Sequence, residues 1–402
     1  MEKIWVSIPE VLFFQEGPGV RNTQYTTKGV KLLNVANLVD GKIDLSTSDR
    51  YISEEEAYGK YKHFLCDAGD FVIASSGIKV EYIDKKMGFV DSSMLPLCMN
   101  TSTIRFKVLD ENKLRIRYFM YYLKSRHFKE QLFRQITGSA QLNYGPSHLK
   151  KMVIPLISLD EQDEIIACMD KVQNVIALRQ QELTYLDDLV KARFVELFGD
   201  PKQNRLGWEM STVGDVVASC EAGWSGNGTQ REKRNGEIAV LKVSAVTKGY
   251  FIPEECKVLD NQDSVKKYVY PQAGDLLFSR ANTREMVGAT AVVTADYPEH
   301  ILPDKLWKIR FLDKANVWYM KYVLSSESIR SIFSTVSTGT SGSMFNVSMD
   351  KFKSIKIPLP PLEIQQQFAD FVVRTDKSKS AVQKSLDETQ VLFGSLMQKY
   401  FG

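Results

Sequence analysis

Several polar segments of this chain carry side chains suited to reading a pattern of hydrogen-bond donors and acceptors. They are Arg21-Asn22-Thr23-Gln24-Tyr25, Ala74-Ser75-Ser76-Gly77-Ile78-Lys79, Gln141-Leu142-Asn143-Tyr144, the stretch from Asn227 to Asn235, and Ser279-Arg280-Ala281-Asn282-Thr283-Arg284. Guanidinium forks and carboxamides can address base edges, while hydroxyl and ammonium groups suit phosphates. The candidates for such contacts are Arg21, Asn22, Gln24, Tyr25, Ser75, Lys79, Gln141, Asn143, Gln230, Arg231, Lys233, Arg234, Arg280, Asn282, Arg284 and Asn346. For any one of them taken singly, a solvated loop is the plainer reading.

Bond-making chemistry is harder to find. Asp200-Pro201-Lys202-Gln203 begins like the Asp-Pro-Pro-Tyr box of amino-methyltransferases but lacks the second proline and the aromatic. It reads as a turn that stops a helix. Phe198-Gly199-Asp200 lacks the second glycine of a methyl-donor loop, and Pro303-Asp304 is followed by no nuclease-type Glu/Asp-x-Lys. No phosphate-binding Gly-x-x-x-x-Gly-Lys-Ser/Thr occurs. The five cysteines are scattered and the four histidines show no metal-ligand spacing, so no metal site is expected. The chain is expected to catalyse nothing by itself and to bind no cofactor.

The elements that must position the polar segments are written twice. Ile154-Pro155-Leu156 with Leu159 and Gln162 recurs 203 positions later as Ile357-Pro358-Leu359 with Leu362 and Gln365. Ala68-Gly69-Asp70 answers Ala273-Gly274-Asp275, Leu33-Asn34-Val35 answers Leu241-Lys242-Val243, Tyr118 to Ser125 answers Trp318 to Ser325, and Trp5 is set against Trp208. Strands are predicted over 31–35, 71–74, 102–108, 238–246, 276–279, 289–293 and 306–311, and helices over 117–135 and 317–334. Each boundary motif leads into a long helix. The seam residues step by three and four: Ile165, Met169, Val172, Ile176, Leu183, Leu186, Val190 and Leu197, then Phe368, Val372, Val382, Leu386, Phe393 and Leu396. Arg179 and Lys379 interrupt these columns. So narrow an apolar stripe needs a partner, and the two helices are the natural partners for each other.

The expected fold class is α/β (α+β). Two similar mixed-sheet domains, 1–157 and 200–360, are joined by long antiparallel coiled-coil helices, 158–199 and 361–402, with internal pseudo-two-fold symmetry. The segment from Ser279 is far more basic than its counterpart from Ala74, so the halves are expected to read different sequences. Net charge is only +3, compatible with a nucleic-acid partner without requiring one. No signal-like or membrane-spanning apolar run is present, and reduced thiols fit a cytoplasmic, prokaryotic setting.

The duplicated order of variable domain, Ile-Pro-Leu-x-x-Leu-x-x-Gln boundary and long helix resembles the specificity subunits of type I restriction–modification enzymes, over the whole chain. The Gly138–Asn143 and Gly339–Asn346 segments support this more weakly. The resemblance implies that each globular domain is a target recognition domain reading one half of a split double-stranded DNA target. It implies that the helices form a spacer docking two modification (methyltransferase) subunits, with restriction (translocase–nuclease) subunits completing the complex. S-adenosylmethionine, ATP and magnesium would then serve those partners. A fused methyltransferase or nuclease, and a coiled-coil interaction protein that binds no DNA, are the alternatives.

Overall fold

A computed structural model describes residues 3–136, 143–336, 338–339 and 345–402. The chain divides into two compact units, 1–179 with 385–402, and 180–384. These units cut across the four segments read from the sequence, because each long helix contributes to both.

In the first unit a four-stranded antiparallel sheet has the order Leu12–Glu16, Thr103–Val108, Phe71–Ala74, Met87–Phe89. A smaller sheet places Val30–Leu33 between Tyr51–Ile52 and Leu97–Met99, parallel to the latter. The second unit repeats the scheme: Val217–Ala222, Leu306–Phe311, Leu276–Ser279, Thr290–Val292, with a second sheet of Gly228–Thr229, Cys256–Leu259, Ala239–Leu241 and His300–Ile301. Phe71, Phe106 and Phe119 stack at the centre of one core; Phe278, Trp307, Phe333 and Phe352 fill the other. Both units are α/β, as the sequence implied, with an antiparallel larger sheet and a mixed smaller one.

The Gly-Asp turns have a definite job. Gly69 and Gly274 adopt φ of +88° and +86°, which L side chains rarely tolerate. The following aspartates are buried and grip the turn: Asp70 accepts from the Asp67 amide at 2.9 Å, and Asp275 from the Gln272 amide at 2.6 Å. Each also meets two cations from the neighbouring strand. Asp70 lies 3.2 Å from both Arg105 and Lys107, and Asp275 lies 3.2 Å from Lys308 and 2.7 Å from Arg310. A buried carboxylate needs such pairing, because removing either partner leaves an uncompensated charge.

The boundary glutamine is the keystone of each unit. Gln162 Oε1 accepts from the Arg115 amide at 2.8 Å, and its Nε2 donates to the carbonyls of Lys113 (2.9 Å) and Ile157 (3.0 Å). Gln365 does the same with the Asn316 amide (2.8 Å) and the carbonyls of Lys314 (3.2 Å) and Pro360 (2.8 Å). Both are fully buried. Beside them Tyr118 donates to the Pro155 carbonyl and Tyr319 to that of Pro358. The start of a long helix is thereby locked to the turn that launches the aromatic helix of the globular part.

Contacts and strand pairing correct two sequence alignments. Tyr118 corresponds to Tyr319, one residue later than the alignment of Tyr118 with Trp318, because the hydroxyl–carbonyl bond fixes the register. Trp5 pairs with Pro155 while Met210 pairs with Pro358, so Met210, not Trp208, occupies the Trp5 position. Each aromatic helix is also two helices, Ile116–Lys124 with Arg126–Gln135 and Val317–Ser325 with Glu327–Val336. Ser125 (ψ 155°) and Ser326 (ψ 144°) are extended, and the Ser125 hydroxyl caps the Phe128 amide. Several strands are also shorter than expected, as in Ala239–Leu241, where the chain turns into 3-10 helix at Val243–Val246.

The long helices span Leu159–Phe198 and Leu362–Phe401, 40 residues or about 60 Å each. Ser158 and Glu161 form a capping box at the first start; Pro361 precedes the second. Within each unit the helix segments run antiparallel. In the first unit Arg179 donates to Thr389 (2.8 Å) and to the Ser385 carbonyl, while Ile165 and Met169 share a core with Phe401. In the second, Lys379 meets Asp187 (2.5 Å) and Phe194 packs edge-on against Phe368. Every seam residue named above is buried or half-buried, whereas Leu178, Tyr185, Leu189, Val195, Val391 and Leu392 face outward. The two seam cations thus have partners. Phe194 and Phe198, off the heptad columns, are buried more deeply than Leu197 because the core of the second unit reaches them.

Candidate nucleic-acid interface

In the first unit the turn at Asn100–Ser102 joins two strands, and Ser102 adopts φ +67°. The Ser75 amide donates to the Ser102 carbonyl at 2.8 Å, the Ser76 hydroxyl meets that of Ser102 at 2.6 Å, and Asn100 Nδ2 donates to the Tyr25 hydroxyl at 3.3 Å. Ser76 bridges to Asn143, and the Tyr144 amide donates to the Ser75 carbonyl at 3.0 Å. Tyr25, Ser76, Lys79 and Asn143 therefore sit on segments that the turn ties together.

The second unit builds the same corner with different side chains. The Arg280 amide donates to the Lys305 carbonyl at 3.0 Å, and the Val347 amide to the Arg280 carbonyl at 2.9 Å. Ala281 pairs with Asn346 and Asn282 with Phe345, extended by Thr338–Gly339 into a three-stranded ribbon. Arg280, Asn282, Arg284 and Asn346 are brought together here, and Asn346 stands where Asn143 stands in the first unit. Arg284 is exposed, its guanidinium 5.9 Å from the Phe345 ring. Arg280 is half-buried: its Nε donates to the Asp304 carbonyl at 2.8 Å. Asp304 itself accepts from the Ser225 hydroxyl, so Pro303-Asp304 is a scaffold turn.

The remaining candidates divide by environment. Ser75 is buried and its hydroxyl donates to Glu16 at 3.3 Å, so it is withdrawn from any external ligand, contrary to its selection from the sequence. Gln24 is committed to Glu56 (2.6 Å) and Tyr61 (3.0 Å). Arg21, Asn22 and Lys79 are exposed, and Gln141 lies outside the described residues. Gln230, Arg231, Lys233 and Arg234 follow Gly228–Thr229 on the smaller sheet, away from the Arg280 ribbon in sequence and in pairing. Arg231 holds Glu237 through both guanidinium nitrogens, 2.8 and 2.7 Å, and this pairing pulls the Glu237 carboxyl down to about 2. Lys233 pairs with Glu299 and holds its carboxyl below the usual range. Much of the positive charge in that loop is thus neutralised internally, while Arg234 and Gln230 remain exposed.

Two features escaped sequence reasoning. Lys305 and the Asn100–Ser102 turn organise the corners, yet neither lies in an obviously basic or amide-rich run. Asp200, by contrast, fits the reading of a helix-stop turn: its carboxylate accepts from the Lys202 and Gln203 amides, each at 2.9 Å. Among the described residues no cluster of potential metal ligands occurs, and no helix is long and apolar enough to cross a membrane.

Residues 24–187 and 205–389 match the family described as the type I restriction modification DNA specificity domain. The specificity subunit of the Escherichia coli type I restriction enzyme EcoEI is 27% identical over 197 residues, 48% of this chain and 33% of that protein. The EcoKI specificity subunit of Escherichia coli K12 is 24% identical over 313 residues, 71% of this chain and 64% of the relative. The chain spans less than two thirds of the length of these curated relatives. The crystal structure of a type I restriction–modification S subunit from M. genitalium superposes with a TM-score of 0.56 at 14% identity, covering 100% of this chain and 96% of that one, a likeness of fold.

Proposed function

We propose a role from one premise: this chain belongs to the type I restriction–modification DNA specificity family. It supplies DNA sequence recognition to such a system and catalyses no step itself. Each unit reads one half of an asymmetric, bipartite duplex target. The long helices set the gap between the halves and dock two modification subunits that methylate adenine from S-adenosylmethionine. Restriction subunits, using ATP and magnesium, join that assembly.

The observation that carries this reading is the duplicated corner. The same backbone bonds (Ser75 to Ser102, Tyr144 to Ser75; Arg280 to Lys305, Val347 to Arg280) present Ser76, Lys79 and Asn143 in one unit and Asn282, Arg284 and Asn346 in the other. A constant scaffold with exchanged side chains is what two readers of different words require. Asn and Arg forks discriminate base edges by about 1–3 kcal/mol per bidentate contact.

The test is methylome sequencing of a host expressing this chain with its modification subunit. Two short methylated words separated by an indifferent gap are expected. Asn282→Ala with Arg284→Ala relaxes one word and leaves the other intact. Matched insertions of helical turns after Arg179 and after Lys384 lengthen the gap and leave both words unchanged. A single continuous site, or both words relaxed by the one double variant, contradicts the proposal.

A further inference from the structure

The second unit contains a cleft of about 810 Å³. That size is ordinary for small-molecule sites, which are largely apolar with a few convergent polar groups. Phe194, Trp318, Tyr322 and Tyr297 contribute rings to its lining, and its charged groups are of both signs, Lys321 and Arg330 beside Asp187 and Asp376. The DNA-reading proposal above uses none of these residues.

Lys321 is the cation best placed to meet a ligand in this cleft. Its ammonium lies 3.9 Å from the centroid of the Tyr322 ring and forms no ion pair among the described residues. The carboxylates on the flanking long-helix segments, Asp187 and Asp376, are both engaged by Lys379, at 2.5 and 3.8 Å. Burial lowers the Lys321 ammonium to about 8. Lys321 is half-buried, and Asp376 and Asp187 act on it only from beyond ion-pair distance, so an anion entering the cleft could pair with it directly. The first unit places its cation differently: Lys124 lies 5.2 Å from the Tyr121 ring, and burial lowers its ammonium to about 8. With Tyr118 matched to Tyr319, Met120 occupies the Lys321 position and is buried. There the Tyr121 hydroxyl, in the place of Tyr322, is tied to Asp170 at 2.5 Å.

We propose that this cleft binds a small planar ring bearing one anionic group, a carboxylate or a phosphate monoester. Lys321 neutralises the anion, and the aromatic lining of Phe194, Trp318 and Tyr322 packs against the ring. The side chain that the first unit lacks at this position is, in the second, the recognition group for a ligand.

Isothermal titration of the full-length chain with four probes tests this: adenosine 5′-monophosphate, benzoate, adenosine and inorganic phosphate. At least one of the two ring anions binds saturably, and adenosine and phosphate bind about tenfold or more weaker, because each lacks one of the two contacts. Which ring anion is preferred separates a phosphate ligand from a carboxylate. Lys321→Met, which installs the first unit's residue, and the longer neutral Lys321→Gln each weaken the ring anion by about tenfold or more. Lys321→Arg retains binding, and circular dichroism confirms that the variants are folded. Failure of both ring anions to bind overturns the proposal, as does unchanged affinity in a folded Lys321→Met or Lys321→Gln chain.

Discussion

Replacing Gln365 with leucine removes a buried side chain of similar size together with all three of its hydrogen bonds to backbone. The Asn316 amide and the carbonyls of Lys314 and Pro360 then face an apolar group. At about 1 kcal/mol net per bond, and more where a buried group stays unsatisfied, the cost is roughly 3–5 kcal/mol. For a unit of this size that corresponds to a fall in Tm of roughly 10 °C. A single midpoint is poorly defined for a chain with two compact units, so hydrogen exchange read by mass spectrometry is the better assay. Peptides spanning Asn316 exchange faster by at least about a hundredfold, while those spanning Arg115, held by Gln162 in the first unit, keep their protection. Gln162→Leu gives the mirror result, and the two effects add. A loss of less than about 1 kcal/mol, or equal acceleration at Arg115 and Asn316, would refute the clamp as a local lock.

The other expectations concern charge. Asp275→Asn leaves the buried Lys308 without its counter-charge and weakens the grip on Arg310; with Arg310 largely solvated, urea unfolding of the second unit should show a loss of about 3 kcal/mol. The Glu237 carboxyl, ordinarily near 4.5, titrates near 2 because of Arg231. Its depressed value means the loop contact is present above the ordinary value and is lost only as pH falls through about 2, which carboxyl NMR of wild type against Glu237→Gln resolves. Arg179→Leu should shift thermal stability by no more than about 1 kcal/mol, since an apolar seam residue substitutes for a hydrogen-bonded cation; a loss of several would show that the arginine sets helix register.

The repeat was legible because its fixed parts are short-range and chemically narrow: a proline before a helix start, a glycine at positive φ, a glutamine that must be buried. The heptad columns likewise follow from local periodicity, and all their members are buried or half-buried. What the sequence hides is the partner of each polar group. Arg231 and Lys233 look like free cations until Glu237 and Glu299 are seen beside them, the latter 66 residues away. Ser75 looks like a loop hydroxyl but closes on Glu16, 59 residues earlier. The one-residue error at Tyr118 has the same origin. Sequence similarity favoured matching aromatics, whereas a single hydroxyl–carbonyl bond determines which aromatic is equivalent.

The boundary glutamines also bear on how such a chain can change. Every group that Gln162 and Gln365 grasp is a main-chain amide or carbonyl: Arg115, Lys113 and Ile157 in one case, Asn316, Lys314 and Pro360 in the other. Main-chain atoms are supplied by any residue. A globular domain of quite different surface could therefore be spliced between the same two joints, provided its aromatic helix began with a turn of the same shape. No compensating substitution in the long helices would be needed. The lock constrains geometry and leaves composition free, so one globular domain could be exchanged by recombination in a single step with the long helices inherited intact.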